Sequence, residues 1–512
     1  PKIDINAAMV VFVGANPVVS QRHTWAITDP VMNIRKLKER GQVWVVDPRA
    51  TETAHLATSH LQLRAGSDHA LFAHAVRELL EDGADWDYLE RHATDVDVLR
   101  EAVAQFDLAT AAEITGLDSE SISAFVAAIR RAGRVALMSG TGLTFSASPA
   151  VAEWLMRALE VVTGSSDQPG GVWFSPNFYR QNDLQNYPPT VASPGPGPSS
   201  RPELPSWMGM YPCAAFPDEV ETGALRAFFA IGGNPIAAFP ERARVVEALE
   251  ALDIVVVADI VDSDTAAYAT HVLPCASQLE RADLTLASTS AVYAQYTPPV
   301  VPVGAGRRTQ WQIFAQLAQQ LGHDLLPRGL SPEDCTTEDV LEDACAGARA
   351  PLAELVAHAT GILAEPAVFG WARERVLPDG RWQVAPRVLV EQLAALRVPS
   401  ATVYVPRRPR DRVNSTLREL SRGIDPDCVY LNPDDAHRID AAEGDLVRVT
   451  SKSGSVVAPV VIDDGLRLGT VSIHHASDGA NVCDLTSSTA DIDPVTGMVL
   501  QSGIPVELTL AG

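Results

Sequence analysis

The chain has 512 residues, 46% of them apolar and 20% charged, and a net charge of −24. That length allows two to four domains of ordinary globular composition. The acidic balance excludes nucleic acid and anionic membrane as partners, since phosphates would be repelled, and no apolar run approaches the roughly 20 residues that a membrane-inserted helix needs.

The opening PKIDINAAMVVFVG leads straight into a strand and does not read as a signal peptide. Residues 9–13 and 43–46 are short β-branched runs that end in Gly14 and Asp47, and 31–40 between them reads as a helix closed by Gly41. This is a strand–helix–strand unit of a parallel sheet. A helix is expected after Asp68, which can cap it, with Leu71, Phe72, Ala75, Val76 and Leu79 at helical spacing. Asp118 starts another helix that stops at Gly133, and 135–138 returns as a strand ending in Ser139-Gly140-Thr141-Gly142.

Residues 187–206 are rich in Pro, Gly and Ser and are expected to form a loop or surface crossing. From Ala227 the first unit then repeats. VVFVGANP becomes FFAIGGNP, so Gly14-Ala15-Asn16-Pro17 matches Gly232-Gly233-Asn234-Pro235. A strand ending in aspartate follows in both (Asp47, Asp259), then Thr-Ala (Thr53-Ala54, Thr265-Ala266), then a histidine (His60, His271). A single G-x-N-P is no more than a turn; the ordered recurrence of all these signals points to two related ligand-binding units. After a helix-rich stretch at 308–398, short alternating runs at 447–450, 456–462, 471–474 and 506–510, separated by Gly and Asp turns, indicate a closed β domain.

The expected fold class is thus α/β: two related doubly wound units plus a C-terminal β-barrel. The expected boundaries are 1–186 for the first unit, 187–215 for the crossing, 216–400 for the second unit with its helical extension, and 401–512 for the barrel. In such sheets ligands sit beyond the carboxyl ends of the strands, where Gly14 and Gly232 fall. Glycine there lets backbone N–H groups approach a phosphate. Asn16 and Asn234 offer a donor and an acceptor, while Asp47 and Asp259 can accept from ribose hydroxyls or a guanine edge. Neither copy is G-x-G-x-x-G or G-x-x-x-x-G-K-[ST], so neither a nicotinamide fingerprint nor a nucleotide-hydrolysing loop is indicated. The cysteines at 213, 275, 335, 345, 428 and 483 are scattered without C-x-x-C spacing. They read as buried free thiols in a reducing, cytoplasmic setting, with no local zinc or iron–sulfur motif and no metal ligand.

These motifs resemble the molybdopterin-dependent oxidoreductases of the dimethyl-sulfoxide-reductase and formate-dehydrogenase group. The similar segments are VFVGANPVVSQ, VVDPRATETA, LRAGSDHAL, SGTGLTFS, IGGNP, VVVADIVDSDTAAYATHVLP, the glutamate of QLERAD, and RRPRDRVNSTLR with the GANVCDLT run. The resemblance implies a molybdenum or tungsten bis-pterin guanine dinucleotide, one dinucleotide per α/β unit. Gly14, Asn16, Asp47, Arg49, Gly66 and Asp68 would serve one. Gly232, Asn234 and Asp259 would serve the other. Asn414, Ser415 and Asn481 would close the cage from the barrel, and Ser139 and Gly140 would line a pterin. Arg49 also makes sense independently, since a guanidinium gives bidentate donors to a pyrophosphate inside an acidic protein.

The resemblance further implies a small-molecule substrate and an electron-transfer subunit or N-terminal domain. The metal ligand and any iron–sulfur cluster are expected ahead of residue 1. Arg180 stands roughly where formate dehydrogenases keep a substrate-carboxylate arginine, although an exposed loop arginine is the simpler reading. His23, His60 and His271 are acid–base candidates by residue type, with structural hydrogen bonding expected for the latter two. The rival readings are a non-catalytic scaffold, like the large subunit of respiratory complex I that keeps this fold without the metal, and the central domain of a thiamine-diphosphate enzyme.

Overall fold

The computed structural model describes residues 1–20, 29–185, 194–285, 292–365, 367–396, 401–408, 415–416, 427–476, 479–490 and 492–511. The β-branched runs near the N-terminus form β1 (Met9–Val13), β2 (Gln42–Val46), β3 (Ser59–Leu61) and β4 (Ala136–Ser139), a parallel sheet in the order β3-β2-β1-β4. The sheet is covered on both sides, as parallel sheets ordinarily are. Val10 and Phe12 face α1 (Pro30–Arg40) through Ile34 and Leu37. Val11 and Val13 face the larger core built with α2 (Asp68–Glu81), α3 (Ser119–Ala132) and α4 (Pro149–Val162).

The cap of α2 differs from the sequence expectation. Asp68 is the first residue inside the helix, and Ser67 holds the cap position without a side-chain capping bond, its hydroxyl donating instead to the Arg64 carbonyl at 2.6 Å. A buried carboxylate in the first turn still meets the positive end of the helix dipole. Asp118 does cap α3, accepting from Ser121 N.

The second unit forms β5 (Ala227–Ile231), β6 (Ile254–Asp259) and β7 (His271–Pro274), also parallel, in the order β5-β6-β7. One face packs on α5 (Arg242–Ala251) through Phe228, Val255, Val245 and Leu249. On the other face α6 (Gln310–Gln320) covers Ala258, Leu273 and Cys275 with Ile313.

Residues 371–396, which the sequence grouped with the second unit, pack on the first. Val384, Ala385 and Leu393 join its core, and Trp154 Nε1 donates to the Val384 carbonyl at 2.7 Å. Apolar side chains follow the nearest open core rather than their neighbours in sequence. In the crossing, Gly195–Pro196 pairs with Pro205–Ser206 as a minimal antiparallel ribbon.

The C-terminal region is a curled sheet of β8 (Val403–Arg407), β9 (Val429–Leu431), β10 (Leu446–Thr450), β11 (Ser455–Ile462), β12 (Thr470–His474), β13 (Ile504–Pro505) and β14 (Glu507–Leu510), in the order β13-β8-β12-β9-β11-β10-β14. Its two edge strands are separated in sequence by Val506 alone, whose N–H donates to the Thr402 carbonyl. One terminal segment therefore joins both edges, and the sheet curls around the Tyr404, Val429, Val447, Val471 and Ile473 core. Among the described residues no helix is long and apolar enough to cross a membrane.

Candidate cofactor site

Each strand that precedes a G-x-N-P turn stops because its glycine turns into the left-handed region, with φ +53° at Gly14 and +59° at Gly232. Each glycine N–H still reaches the neighbouring strand, Gly14 to Val46 O (2.9 Å) and Gly232 to Ala258 O (3.0 Å). Pro17 and Pro235 then begin short helices, where a missing N–H costs nothing.

The asparagines are spoken for within the fold. Asn16 Oδ1 accepts from the Thr53 hydroxyl at 2.7 Å, and its Nδ2 donates to Glu52 Oε2 at 2.7 Å. In the second unit Asn234 Oδ1 accepts from Thr265 at 2.9 Å, while Nδ2 donates to Asp264 Oδ2 at 3.2 Å. The repeat read in sequence is thus a repeated three-residue latch, in which asparagine, threonine and the preceding acid tie the turn to the loop after the next strand.

The histidines do not share the repeat. Thr58 and Thr270 are equivalent, since each exchanges bonds with Val43 or Val255 on the neighbouring strand. His60 comes two residues after its threonine and His271 one, so they sit on opposite faces. His60 Nε2 bonds the Asp47 carbonyl oxygen at 2.8 Å, a structural contact, and His271 Nδ1 bonds Thr270. His23 lies outside the described residues.

Ser139 and Gly140 end β4 against the first turn. Gly140 N donates to Val13 O, and a Cβ on Gly140 would lie 2.4 Å from the Gly14 oxygen. Gly66 (φ +82°) leads into Asp68, which is buried and feels the charge of the buried Asp47 carboxylate. Burial pushes the Asp68 carboxyl up to about 7, and the charge on Asp47 adds to that. Asp47 is also raised by burial, with Arg49 opposing; its Oδ1 accepts from Arg49 N at 2.9 Å. Asp259 Oδ1 accepts from the next backbone N–H, Ile260, at 2.6 Å.

The barrel sits on both units at these turns. Its 463–467 turn meets the loop after β2, where Ala50 N donates to Gly465 O at 2.8 Å and Arg467 N to Pro48 O at 3.0 Å. At the other unit Asn234 Nδ2 also donates to the Ser415 carbonyl at 3.4 Å, and Cys483 Sγ to Ala237 O at 3.2 Å. Asn481 is buried and caps the turn that carries Cys483, accepting from Cys483 N at 2.9 Å. Asn414 lies outside the described residues.

This docking leaves Arg49 Nη1 buried with no hydrogen-bond partner. Arg407, which sequence reading passed over, stands in the same charged group. Its guanidinium lies 3.7 Å above the Tyr430 ring, it pairs with Asp463, and its Nε is buried without a partner. The only signal was an Arg-Arg pair at a strand end in an acidic chain. A buried, unsatisfied guanidinium N–H is costly unless an anion completes it, so the donor set fits a phosphate-bearing ligand. Arg180 is not brought into this group: it is exposed, and its backbone N–H donates to Asn177 Oδ1 at 3.2 Å. Among the described residues no three His, Cys, Asp or Glu side chains cluster to hold a metal.

The family model described as "Molybdopterin oxidoreductase" matches residues 3–320, and that described as "Molydopterin dinucleotide binding domain" matches 403–504. The chain is similar to nitrate reductase of Klebsiella oxytoca, 27% identical over 91% of this chain and 57% of that protein. It is similar to trimethylamine-N-oxide reductase of Haemophilus influenzae, 23% identical over 92% of this chain and 66% of the relative. A third relative is the F420-dependent formate dehydrogenase subunit alpha of Methanocaldococcus jannaschii, 24% identical over 90% of this chain and 71% of that subunit. The fold matches the solved acetylene hydratase from Pelobacter acetylenicus with a TM-score of 0.81 over 99% of this chain and 79% of that one, at 18% identity. The chain thus spans 57% and 66% of the first two relatives.

Proposed function

Because this chain belongs to the molybdopterin oxidoreductase family, we propose that it is the cofactor-holding part of a formate-dehydrogenase-like oxidoreductase that carries two pterin guanine dinucleotides, one per α/β unit. The observation that carries this reading is the duplicated latch at two glycine turns, both roofed by one barrel. When bound, the pterin-held molybdenum or tungsten supplies two-electron exchange with a small substrate.

The chain's own residues bind and orient. Gly14 and Gly232 bring backbone close to the ligand, and the asparagines act through the turns they hold. The unpartnered Arg49 Nη1 donates to a phosphate oxygen, with Arg407 beside it. Asp47, Asp68 and Asp259 accept from hydroxyl or guanine N–H groups. Ser139, Gly140 and Gly66 line the first dinucleotide, with Ser415 and Asn481 on the barrel side. Arg180 is assigned no step. A cytoplasmic setting suits the six unpaired cysteines, and an electron-transfer partner suits a chain similar to a subunit named alpha. A metal-free scaffold has no support among the relatives named above, each of which is a reductase or dehydrogenase by name.

Metal analysis and acid release of guanine nucleotide from the natural holoprotein test the proposal. Near-stoichiometric molybdenum or tungsten with two guanine nucleotides per chain is expected. Absence of both would overturn it.

A further inference from the structure

The first sheet has a second end, away from the glycine turn, and a cavity of about 470 Å³ opens there. Ala8, just before β1, and Arg134, just before β4, line it together with Gly83, Asp85, Gly133 and Thr163. The five residues of β1 separate this cavity from the Gly14 turn by roughly 15 Å. It is therefore distinct from the cofactor site.

Three helices end on the cavity: α2 stops at Glu81 just before Gly83, α3 at Ala132 beside Gly133, and α4 at Val162 beside Thr163. Their negative dipole ends favour a cation there. Two opposite charges also line the same space without meeting. Asp85 Oδ1 accepts from Tyr88 N at 2.9 Å as the cap of the short helix Trp86–His92, and its Oδ2 makes no hydrogen bond or ion pair among the described residues. Arg134 Nη1 donates to the Pro169 carbonyl at 3.0 Å, and the guanidinium pairs with no carboxylate among the described residues. Small walls keep the space between them open, and a Cβ on Gly133 would meet nothing within 4 Å.

We propose that this cavity binds a small free amino acid, with its ammonium held by Asp85 and the helix ends and its carboxylate held by Arg134. Each charge of such a zwitterion meets a wall group of opposite sign that has no ion-pair partner of its own, and charge-assisted hydrogen bonds form at both ends. A ligand with a single charge leaves one of the two wall groups unpaired, so it binds more weakly. The volume falls within the range of small-molecule sites. This inference does not depend on the ligand assigned above, because none of the six cavity residues named here belongs to that site.

The test is titration calorimetry of the full natural protein with each common α-amino acid, β-alanine and γ-aminobutyrate, and with acetate and methylammonium as singly charged controls. At least one amino acid is expected to bind saturably, one per chain, and about tenfold or more tightly than either control. Arg134→Gln and Asp85→Asn should each weaken that binding about 10- to 100-fold, whereas Arg134→Lys keeps most of it. Asparagine retains the helix cap, so Asp85→Asn reports on the cavity even where Arg134→Gln disturbs the turn at Pro169. No saturable binding by any of these amino acids up to roughly 10 mM overturns the proposal. So does a control that binds as tightly, or binding that Asp85→Asn leaves unchanged.

Discussion

Thr53 donates its hydroxyl hydrogen to Asn16 Oδ1 across 2.7 Å, and the identical bond recurs between Thr265 and Asn234 at 2.9 Å. Both threonines are completely buried. The pair turns two separate loops into one rigid rim at the strand ends, where a ligand must be met by backbone.

Removing the threonine hydroxyl leaves a buried amide oxygen short of a donor, at a cost of about 1–3 kcal/mol. Thr53→Val and Thr265→Val are each expected to lower the thermal midpoint. Each is also expected to lower guanine nucleotide retained after gel filtration, since the rim loosens. Combined with Asn16→Ala, Thr53→Val should add little further loss; full additivity in that double-mutant cycle would mean that the two residues do not act together.

Gly14 and Gly232 share a positive φ but not their surroundings, so alanine separates strain from collision. Gly232→Ala meets only Gln310 Nε2, at an ordinary contact distance of 3.7 Å, and should cost only the backbone penalty, about 1 kcal/mol. Gly14→Ala adds a 2.4 Å approach to Leu143 N and should cost several kcal/mol or prevent folding. Urea denaturation of the two variants side by side checks the order.

Arg49 is expected to matter for ligand and not for the empty fold. Arg49→Met removes a buried cation with an unsatisfied Nη1 but also the charge that opposes burial at Asp47, so the stability of the cofactor-free protein should change little. A charge-assisted bond contributes about 1.5–3 kcal/mol, so dinucleotide affinity should fall about 10- to 100-fold. Paired measurements of melting and bound guanine decide it; equal losses in both would make Arg49 merely structural.

Asp68 makes stability depend on pH in a definite direction. Its folded carboxyl is pushed up to about 7, so the folded state holds a proton that the unfolded chain releases near 4. The penalty for the charged form is therefore absent below the ordinary carboxylate range, grows as pH rises, and is complete above about 7. Between pH 5 and 8 the cofactor-free protein should lose stability, and Asp68→Asn should flatten part of that slope. An unchanged slope in thermal melts would show that Asp68 does not titrate there.

The units and their order were legible in the residues alone, because they are written in local signals. β-branched runs, glycine and asparagine turns and the Pro-rich crossing each act within a few residues, and their recurrence announced two related sheets and a β domain. What the motif residues do was settled only by long-range packing. Asn16 and Asn234 became latches because loops far along the chain supplied Thr53 and Thr265, and the helical stretch at 371–396 went to the first unit because its apolar face found that core. Arg49 became a buried, waiting donor because the 463–467 turn of the barrel closed over its loop, and Arg407 joined it from the end of β8. Burial and partnership depend on groups from 31 to more than 200 residues away, and no local pattern of residues encodes them.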